Sequence, residues 1–546
     1  MVLWVLSNGR IKVMHILMVA AENGALPGGK VGGLGDVIRD VPLALARLGH
    51  SVSVITPGYG KLADTPSANL ITEVDVLFCG RREPVTLFSV SVQNSHPQVR
   101  HWVLEHWLFA AGGVGAVYSN DHYGPFATDA HKFALFSAAV GQLINSRIID
   151  GIDILHCHDW HSAPLLILRQ YSKHYLLLRS LHAVFSIHNL AIQGVRPMQG
   201  DDSSLLSWFP DLVIDSDNGI QDPRDSHLVN LMRAGINLAD RVHTVSPTYA
   251  KEILQASNPE QGFIGGEGLE YDLGEVNKQG RLFGILNGCD YNAAKSDTPS
   301  RAEVLKLIDS ALQQWSHNKG GAFRNYYFAL RRLQQWQRRR TDSTPVLASV
   351  ARVTAQKFKL LTTESDGTTV LESLLQKLQP GLLIILGNGD ADYENFFTDV
   401  MASNENFLYL SGYSDALSAA LYSFADLYLM PSLFEPCGIS QMLAMREGTP
   451  CLVHGVGGLK DTVVNGKNGF VFSGTNLAVQ GENLLSALET VLTMFKSDPI
   501  TWQALCQQAA EERFSWDKSV TAYCKCLYDT NRSTADRWAG SSGLLK

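Results

Sequence analysis

The chain has 546 residues, of which 45% are hydrophobic and 18% are charged, and its formal net charge at pH 7 is −8. This length allows two large or about three average domains, and the acidic balance disfavours a general nucleic-acid binder, which needs a basic surface. Eight cysteines without a CxxC pair predict reduced thiols in the cytoplasm rather than a disulfide scaffold, and no apolar run approaches the ~20 residues of a membrane span.

Short apolar runs alternate with helical patterns through the first half of the chain. Residues 1–13 lack the apolar core and the cleavage pattern of a signal peptide, so we expect a short extension before the first strand. Buried strands are predicted at 15–22, 51–60, 153–159, 183–189 and 240–246, with a helix at 36–50. This order predicts a parallel sheet, whose ligands bind at the carboxyl ends of its strands.

The same alternation restarts in the second half. Strands are predicted at 345–352, 381–390, 406–413, 426–432 and 449–455. We therefore expect two doubly wound α/β domains, at 14–283 and 284–515, and a helical segment at 516–546 that packs back on the first domain. The segment 293–344 is predicted to be helical, and its basic run fits a solvated helix face better than a nucleic-acid site.

The sequence ENGALPGGKVGGLGDV (22–37) forms a glycine-rich turn after the first strand. Its spacing imitates the phosphate-binding loop of NTPases, but Val31 stands where the Mg²⁺-binding Ser or Thr is needed. It also fails the GxGxxG dinucleotide fingerprint. A helix that begins near Gly35-Asp36 would still offer free N–H groups to an anion. The residues expected to bind a phosphate-bearing ligand are Lys30, Gly32, Gly33 and Gly35.

Three histidines, His156, His158 and His161, close a predicted strand. Their i, i+2, i+5 spacing is not a standard zinc pattern, so we expect no metal here. A histidine in such a place is more often a packed residue, but His161 is expected to face a cleft because the strand ends there. His188-Asn189 ends the next strand in a similar position.

The segment KVGGLGDV (30–37) resembles the KxGGLGD signature of bacterial glycogen synthases and plant starch synthases. The resemblance continues in the correct order along most of the chain. It includes HCHDWHSA (156–163), FSIHNLAIQG (185–194), the segment 230–253, GILNGCDY (284–291), ARVTAQKFKLL (351–361) and the segment 431–463. It implies a retaining glycosyltransferase of the GT-B class, in which two Rossmann-like domains with parallel sheets face each other across a deep cleft.

The resemblance also implies roles for individual residues. The implied catalytic residues are His161, Arg352, Lys357 and Glu435; the implied donor-binding residues are those of the glycine loop with Asn287, Cys437, Gly438, Gly457 and Gly458; and His188, Asn189 and Gln193 are placed on the acceptor or sugar side. Arg352 and Lys357 follow the first strand of the second domain, where a guanidinium and an ammonium can contact a diphosphate. Without the resemblance, surface charges at a helix start explain them equally well.

The expected function is that of a glycogen synthase. It would transfer glucose from a nucleoside-diphosphate glucose, preferably ADP-glucose, to the non-reducing end of an α-1,4-glucan, without a cofactor. Leu443 stands where many GT-B enzymes carry a second glutamate, so we expect front-face attack rather than a carboxylate pair. Two alternatives stay open: a GT-B enzyme with another donor or a small-sugar acceptor, and a non-catalytic glucan-binding protein.

Three departures from the family pattern bear on these alternatives. Thr128-Asp129 replaces Asp-Asn in the segment YGPFATDAHKF (123–133), and His454-Gly455-Val456 occupies the place of a stretch that contains Arg in the family. The segment 293–344 matches the family poorly. The first two departures lie where sugar or acceptor is expected to bind. Three consequences therefore stay open: a shifted acceptor position, a different nucleotide in the donor, or a loss of activity.

Overall fold

The computed structural model describes residues 13–530, except 94, 120, 122–125, 215–218, 292–297, 319–323, 339–343 and 366. Residues 1–12 of the predicted extension and 531–546 of the predicted C-terminal segment lie outside the described residues. Parts of the segments 123–133 and 293–344 also lie outside them. Within these ranges, each half of the chain builds one large sheet.

The first half is an α/β layer structure. Its strands are β1 (His15–Val19), β2 (Ser51–Pro57), β3 (Ala68–Phe78), β4 (Arg81–Val90), β5 (Val99–Glu105), β6 (Ile154–His158), β7 (His182–Ile187), β8 (Val195–Pro197), β9 (Gln221–Asp222), β10 (Asp225–Asn230), β11 (Arg241–Thr244) and β12 (Leu282–Gly284). Its helices are α1 (Gly33–Arg47), α2 (Ala127–Asn145), α3 (Ala163–Tyr171), α4 (Leu205–Trp208), α5 (Leu231–Leu238), α6 (Pro247–Glu252) and α7 (Glu270–Lys278). The large sheet runs β12-β11-β7-β6-β1-β2-β5-β4-β3, and all its strand pairs are parallel except the two that β4 forms with β5 and β3.

The second half repeats this design. Its strands are β13 (Val346–Val350), β14 (Glu364–Ser365), β15 (Thr368–Thr369), β16 (Leu382–Leu386), β17 (Phe407–Leu410), β18 (Leu427–Met430), β19 (Cys451–His454) and β20 (Gly469–Phe472). Its helices are α8 (Arg301–Asn318), α9 (Arg324–Arg338), α10 (Ala355–Phe358), α11 (Val370–Leu378), α12 (Ala391–Ser403), α13 (Asp415–Phe424), α14 (Ser440–Arg446), α15 (Gly457–Thr462), α16 (Leu477–Ser497), α17 (Pro499–Glu511) and α18 (Trp516–Cys526). The large sheet is parallel throughout, in the order β17-β16-β13-β18-β19-β20.

Both sheets reverse their winding at the first strand of the domain. β1 lies between β2 and β6, and β13 lies between β16 and β18. These inner strands are almost wholly buried because helices cover both faces of a parallel sheet, and the four residues 16–19 are 0% exposed. In open α/β sheets, the crevice at such a reversal is where ligands bind. Each domain therefore has one preferred ligand edge.

The C-terminal helix α18 returns to the first domain. The indole N–H of Trp516 donates to Asp40 Oδ2 at 3.0 Å. Val520 and Tyr523 are buried with Val37 and other apolar residues of α1. The chain thus passes between the two domains twice, first near residues 285–291 and again before α18.

All ten predicted strands occur in the fold, usually shortened by one to three residues at the carboxyl end. Within the two large sheets, the strands β3, β4, β5, β12 and β20 were not predicted. β4 begins with Arg-Arg-Glu-Pro, which reads as a loop. The basic run on α9 is only partly solvated, because Arg332 is buried and donates to the carbonyl of Met401 at 2.5 Å.

Candidate active site

Loops from the carboxyl ends of the two sheets meet between the domains. The amide of Asn189, which follows β7, donates to Gln356 Oε1 at 3.5 Å. The hydroxyl of Ser246, which follows β11, donates to the carbonyl of Pro436 at 2.5 Å. Residues from both ligand edges therefore contribute to one site.

The glycine-rich loop after β1 already holds an anion, the carboxylate of Glu22. Its Oε2 accepts from the N–H groups of Val31 at 2.8 Å, Gly32 at 2.7 Å and Gly35 at 3.2 Å. Its Oε1 accepts from the hydroxyl of Tyr118 at 2.9 Å. Because these donors are satisfied from within, the expectation of free N–H groups at Gly32 and Gly35 is wrong, and α1 begins at Gly33 rather than near Gly35-Asp36.

Close packing explains the glycine at position 35. A Cβ there would lie 2.8 Å from Lys30 Cγ and 3.1 Å from Glu22 Oε2. The Lys30 ammonium pairs with Asp36 at 2.7 Å, and its side chain is 37% exposed. An exposed pair of this kind contributes little to stability. Lys30 can therefore exchange this partner for a phosphate.

Asp159 orders the loop that follows β7 in the first domain. It lies just after β6 with φ +55, a conformation that costs energy in a residue other than glycine. Its Oδ1 accepts from the backbone N–H of His188 at 2.8 Å. Burial raises the pKa of Asp159 to about 7, although the N–H groups of His188 and Asn189 act in the opposite direction. Asp159 thus ties the loop after β7 to the end of β6.

A chain of hydrogen bonds fixes the proton positions on the buried histidines. His243 Nε2 lies 3.3 Å from the carbonyl of Ile285, which can only accept, so Nε2 carries the proton. His243 Nδ1 then accepts from Ser186 Oγ at 2.8 Å. Ser186 accepts in turn from His156 Nε2 at 2.7 Å, which leaves His156 Nδ1 to accept from the hydroxyl of Tyr528 at 2.8 Å.

The proton position on His158, whose ring stacks on that of His156, can be assigned in the same way. Its Nδ1 lies 3.0 Å from His188 Nε2, and its own Nε2 is buried without a partner among the described residues. An orphaned buried donor is less favourable than an orphaned acceptor, so we assign the His158 proton to Nδ1. His188 then carries its proton on Nδ1. Burial lowers the pKa of His188 to about 3, so this ring is neutral.

His161 lies inside a cluster of aromatic rings. Its ring centroid is 4.7 Å from that of Phe133, 4.2 Å from that of Trp160 and 5.3 Å from that of Tyr118. Burial lowers its pKa to about 3. Its Nδ1 has no hydrogen-bond partner in the described part of the chain. His161 is thus a neutral, packed histidine with one polar atom to spare.

Gln193 is held by internal contacts. Its Oε1 accepts from Asn230 Nδ2 at 2.6 Å and Arg224 Nη2 at 3.3 Å, and its Nε2 donates to the carbonyl of Glu267 at 3.0 Å. These bonds use most of the capacity of the amide. The geometry therefore favours a supporting part for Gln193 over contact with a sugar.

The second domain supplies two cations and a buried carboxylate. Arg352 follows β13, is exposed, and has no hydrogen-bond or ion-pair partner among the described residues. Lys357 Nζ pairs with Glu435 Oε2, and the two side chains are 16% and 7% exposed. The Ser432 hydroxyl also donates to Glu435 Oε2, at 3.3 Å. An unpartnered guanidinium beside this pair is suited to a diphosphate.

The turn that carries Glu435 requires glycine in the neighbouring loop. A Cβ on Gly457, whose φ is +44, would lie 1.9 Å from the carbonyl oxygen of Glu435. A Cβ on Gly458 would lie 2.2 Å from the carbonyl oxygen of Cys437. The Gly457 N–H donates across the domain boundary to Glu252 Oε1 at 3.0 Å. These glycines thus allow close backbone contact between the two loops.

His454 lies where the family has a stretch that contains Arg, and it supports the turn that carries Glu435. Its Nδ1 donates to the carbonyl of Ser432 at 2.8 Å, and its ring stacks on Phe472 with centroids 5.1 Å apart. Ser432 is the residue whose hydroxyl contacts Glu435. This departure therefore supports the Glu435 turn with a neutral ring instead of a charge, since burial lowers the pKa of His454.

Cys437 and Gly438 turn the chain into α14. Gly438 has φ +74, and the amide of Gln441 donates to the carbonyls of Cys437 at 3.1 Å and Gly438 at 2.9 Å. Burial raises the pKa of the Cys437 thiol, so a nucleophilic thiolate is disfavoured. Asn287 contributes a buried Oδ1 that has no partner among the described residues.

Thr128 and Asp129 depart from the family pattern, and Asp129 forms a buried ion pair. Asp129 Oδ1 lies 2.8 Å from Lys132 Nζ, and the two side chains are 4% and 0% exposed. Thr128 donates to Asp121 Oδ1 at 2.6 Å. Both residues thus serve local structure at the start of α2.

The described residues contain no group of three or more His, Cys, Asp or Glu side chains that could hold a metal ion. None of their helices is both long enough and apolar enough to cross a membrane.

Sequence reasoning missed Glu22, Glu252, Gln356 and the supporting role of His454. Glu22 and Gln356 lie inside the quoted segments, but no role was predicted for them. Glu22 contacts the glycine-rich loop 9 to 13 residues away and Tyr118 96 residues away, and Gln356 contacts Asn189 167 residues away. An acidic residue at the end of β1, directly before the glycines, is the signal that could have identified Glu22.

The sequence matches two protein families. Residues 15–275 match the starch synthase catalytic domain, and residues 335–491 match glycosyl transferases group 1. The chain is 35% identical to a glycogen synthase of Streptococcus sanguinis strain SK36, over 93% of this chain and 98% of that protein. It is 31% identical to a glycogen synthase of Bacillus cereus, over 94% of this chain and 98% of that protein.

Solved structures show the same architecture. The catalytic domain of starch synthase IV from Arabidopsis thaliana, bound to ADP and acarbose, superposes with a TM-score of 0.74 at 25% identity, covering 94% of this chain and 99% of that one. A sucrose-phosphate synthase from Thermosynechococcus elongatus gives a TM-score of 0.51 at 16% identity, over 93% of this chain and 97% of that one, and shows the fold alone. The expected GT-B fold is confirmed.

Proposed function

The chain belongs to the glycogen synthase and starch synthase family of glycosyltransferases, and from that premise we propose that it extends an α-1,4-glucan with glucose from ADP-glucose. The observation that carries the proposal is that the unpartnered Arg352 and the buried Lys357–Glu435 pair follow the neighbouring strands β13 and β18. The solved starch synthase bound to ADP and acarbose supports a nucleotide and a glucan as ligands. Eight cysteines without a disulfide fit a reducing compartment such as the cytoplasm.

The cations of the second domain stabilise the leaving nucleoside diphosphate. Transfer breaks the bond between the sugar and the phosphate, so negative charge grows on the phosphate oxygens. Arg352 can bind two of these oxygens as a fork, and Lys357 adds a point charge that Glu435 holds in place. Fixed charges of this kind need no reorganisation during the reaction. Lys30 reaches the same phosphates from the first domain.

Neutral groups of the first domain bind the sugar. With its proton on Nδ1, His188 can donate to a sugar hydroxyl, while Asn189 can donate and accept. His161 packs among the aromatic rings behind them. Glu435 stabilises the positive charge that develops on the ring. Leu443 leaves no second carboxylate eight residues after Glu435, which favours front-face attack by an acceptor hydroxyl hydrogen-bonded to the leaving phosphate.

A donor and acceptor panel tests this proposal. Purified protein is incubated with labelled ADP-glucose or UDP-glucose, and with glycogen, maltotriose or glucose as acceptor. We expect label in glycogen and maltotriose, and faster transfer from ADP-glucose. No transfer from either donor, together with ADP binding by calorimetry, would instead identify a non-catalytic glucan-binding protein. Transfer to glucose alone would identify a small-sugar enzyme.

A further inference from the structure

Two adjacent residues at the carboxyl end of β6 hold His188, the first residue after β7. β6 and β7 are parallel neighbours, with His158 opposite Ser186. Asp159 Oδ1 accepts from the backbone N–H of His188 at 2.8 Å, and His158 Nδ1 lies 3.0 Å from Nε2 of the His188 ring. The backbone and the ring of His188 are therefore both held from the end of one strand.

The ring of His158 is fully buried and packs against two other histidines. Its centroid lies 4.2 Å from that of His156, at an angle of 25° between the ring planes, and 5.3 Å from that of His188. Within the described residues, the contact with His188 is the one hydrogen bond that the His158 ring forms. The stack on His156 leaves the His158 ring little freedom to rotate, so the direction of this bond is fixed in space.

The surroundings of His158 also decide which ring donates. With its proton on Nδ1, His158 donates to His188 and leaves its own Nε2, an acceptor, without a partner in the described part of the chain. The reverse direction would leave a buried N–H there, which is less favourable. Burial lowers the pKa of both rings, so each carries a single proton. The His188 proton therefore lies on Nδ1, which has no partner among the described residues.

The direction of this hydrogen bond determines what His188 offers to a ligand. The ring is half-buried, and its Nδ1–H can donate to a hydroxyl oxygen. The reverse arrangement would offer a lone pair instead. A hydroxyl has two lone pairs and one proton, so it can meet a donor in more orientations than an acceptor.

We propose that His158 is a positioning residue, which presents the Nδ1–H group of His188 to a hydroxyl of the donor sugar. The proposal rests on the proposed function for the identity of that sugar. His158 itself does not reach the substrate, because its side chain is 0% exposed. Removal of the His158 N–H should therefore weaken recognition of the sugar and leave recognition of the nucleoside diphosphate unchanged.

Two variants separate the hydrogen bond of His158 from the volume of its ring. His158→Phe keeps a flat ring but has no N–H, whereas His158→Asn loses the ring and keeps an N–H near the position of Nδ1. If the hydrogen bond matters, Asn is the better substitute, and if packing alone matters, Phe is. His50→Asn is the matched control. His50 is 2% exposed, and its Nδ1 accepts from the Met14 N–H at 3.3 Å, before the amino end of β2.

Calorimetry with ADP and with ADP-glucose measures the two parts of recognition separately. For His158→Phe, we expect the Kd of ADP-glucose to rise roughly tenfold and the Kd of ADP to change less than about twofold. His158→Asn should recover most of this loss, and His50→Asn should match the parent. A series of ADP-deoxyglucoses, each lacking one sugar hydroxyl, identifies the contact. One of them should bind equally to the parent and to His158→Phe, because the hydroxyl that His188 binds is already missing.

The outcomes distinguish this proposal from the proposed function. Equal losses of affinity for ADP and ADP-glucose would overturn the role of His158, and so would tighter ADP-glucose binding by His158→Phe than by His158→Asn. A lowered melting temperature of His158→Phe with unchanged binding of ADP-glucose would also overturn it, since His158 would then act by packing. Absent transfer to every acceptor, with the sugar-specific loss of affinity intact, would overturn only the proposed function.

Discussion

The two loop regions that face each other at the site differ in how they use charge. In the first domain, the N–H groups of the glycine-rich loop bind Glu22, and Lys30 pairs with Asp36. In the second domain, Arg352 has no partner within the described residues. In the first region, Glu22 and Asp36 already hold three N–H groups and the Lys30 ammonium before a ligand arrives, while the second region has an unpaired cation to offer.

We infer from this difference that the first domain binds the sugar hydroxyls and the second domain binds the phosphates. Burial keeps His161 and His188 of the first domain neutral, as the lowered pKa values of these two residues indicate. Neutral rings bind hydroxyl groups without competing for phosphate. We therefore expect substitutions in the second domain to affect the phosphate chemistry most, and those in the glycine-rich loop to affect it less.

The largest effect is expected from Lys357→Ala. This change removes a cation from the leaving group and leaves the buried Glu435 with Ser432 as its remaining side-chain contact. We expect kcat/KM for ADP-glucose to fall about 10³-fold, measured as initial rates of ADP release with glycogen. Lys377→Ala, which breaks the exposed pair with Glu489, should be neutral. A loss of less than about tenfold would contradict the assignment of the phosphate chemistry to the second domain.

Arg352→Ala should have the next largest effect. The guanidinium has no internal partner, so the substitution should lower kcat/KM roughly 10²-fold without lowering the melting temperature. Kinetics and thermal unfolding on the same preparation check both parts. The exposed Lys359 on the same segment provides the control variant Lys359→Ala. A large loss of stability in Arg352→Ala would show that this side chain is structural.

A smaller effect is expected from Lys30→Ala, because Lys30 gives up an ion pair when it binds phosphate. We expect KM for ADP-glucose to rise about tenfold with little change in kcat. Arg47→Ala removes a cation from the other end of α1, where it pairs with Asp517, and should leave KM unchanged. If Lys30→Ala were as damaging as Arg352→Ala, the two regions would contribute equally.

The smallest effect is expected from Glu252, which accepts a hydrogen bond from Gly457 of the other domain. Burial raises the pKa of Glu252 to about 7, against the opposing N–H of Gly457. The folded state therefore holds the proton more tightly than the unfolded state, and stability falls as the pH rises from about 4.5 to about 7. Glu252→Gln removes this dependence, because the amide oxygen can still accept from Gly457.

We expect Glu252→Gln to exceed the parent by about 1 kcal/mol in unfolding free energy at pH 8, after allowance for solvent screening, and to equal it at pH 4.5. Denaturant unfolding at both pH values measures this difference. A constant gap at the two pH values would show that Glu252 does not titrate in this range.

The sequence predicted the parallel strands well because a buried parallel strand is a short apolar run with turn residues after it. β13 and β18 are examples, and Arg352 and Glu435 follow them, but the family resemblance rather than the strand pattern singled out these two residues. The antiparallel strand β4 was missed because it begins with charged residues and contains Pro84. A proline in a sequence argues against an inner strand, although β4 lies between β5 and β3.

The partners of the site residues were less predictable than the residues themselves. Lys357 and Glu435 are 78 residues apart and meet because β13 and β18 are neighbours in the sheet. The contact of Glu22 with the glycine-rich loop depends on how the loop folds over the end of β1. The sequence predicted that the N–H groups of these glycines bind a ligand. In the fold, the N–H groups of Gly32 and Gly35 donate to the carboxylate of Glu22 instead.

The most direct test of glucan extension is the structure of the product. Glycogen labelled from ADP-glucose by the purified protein is digested with β-amylase, which releases maltose from non-reducing ends of α-1,4-linked chains. We expect nearly all label to appear in maltose, because transfer places glucose on those ends with retention. Label that stays in the undigested polymer, or in free glucose alone, would contradict transfer to an α-1,4-glucan end.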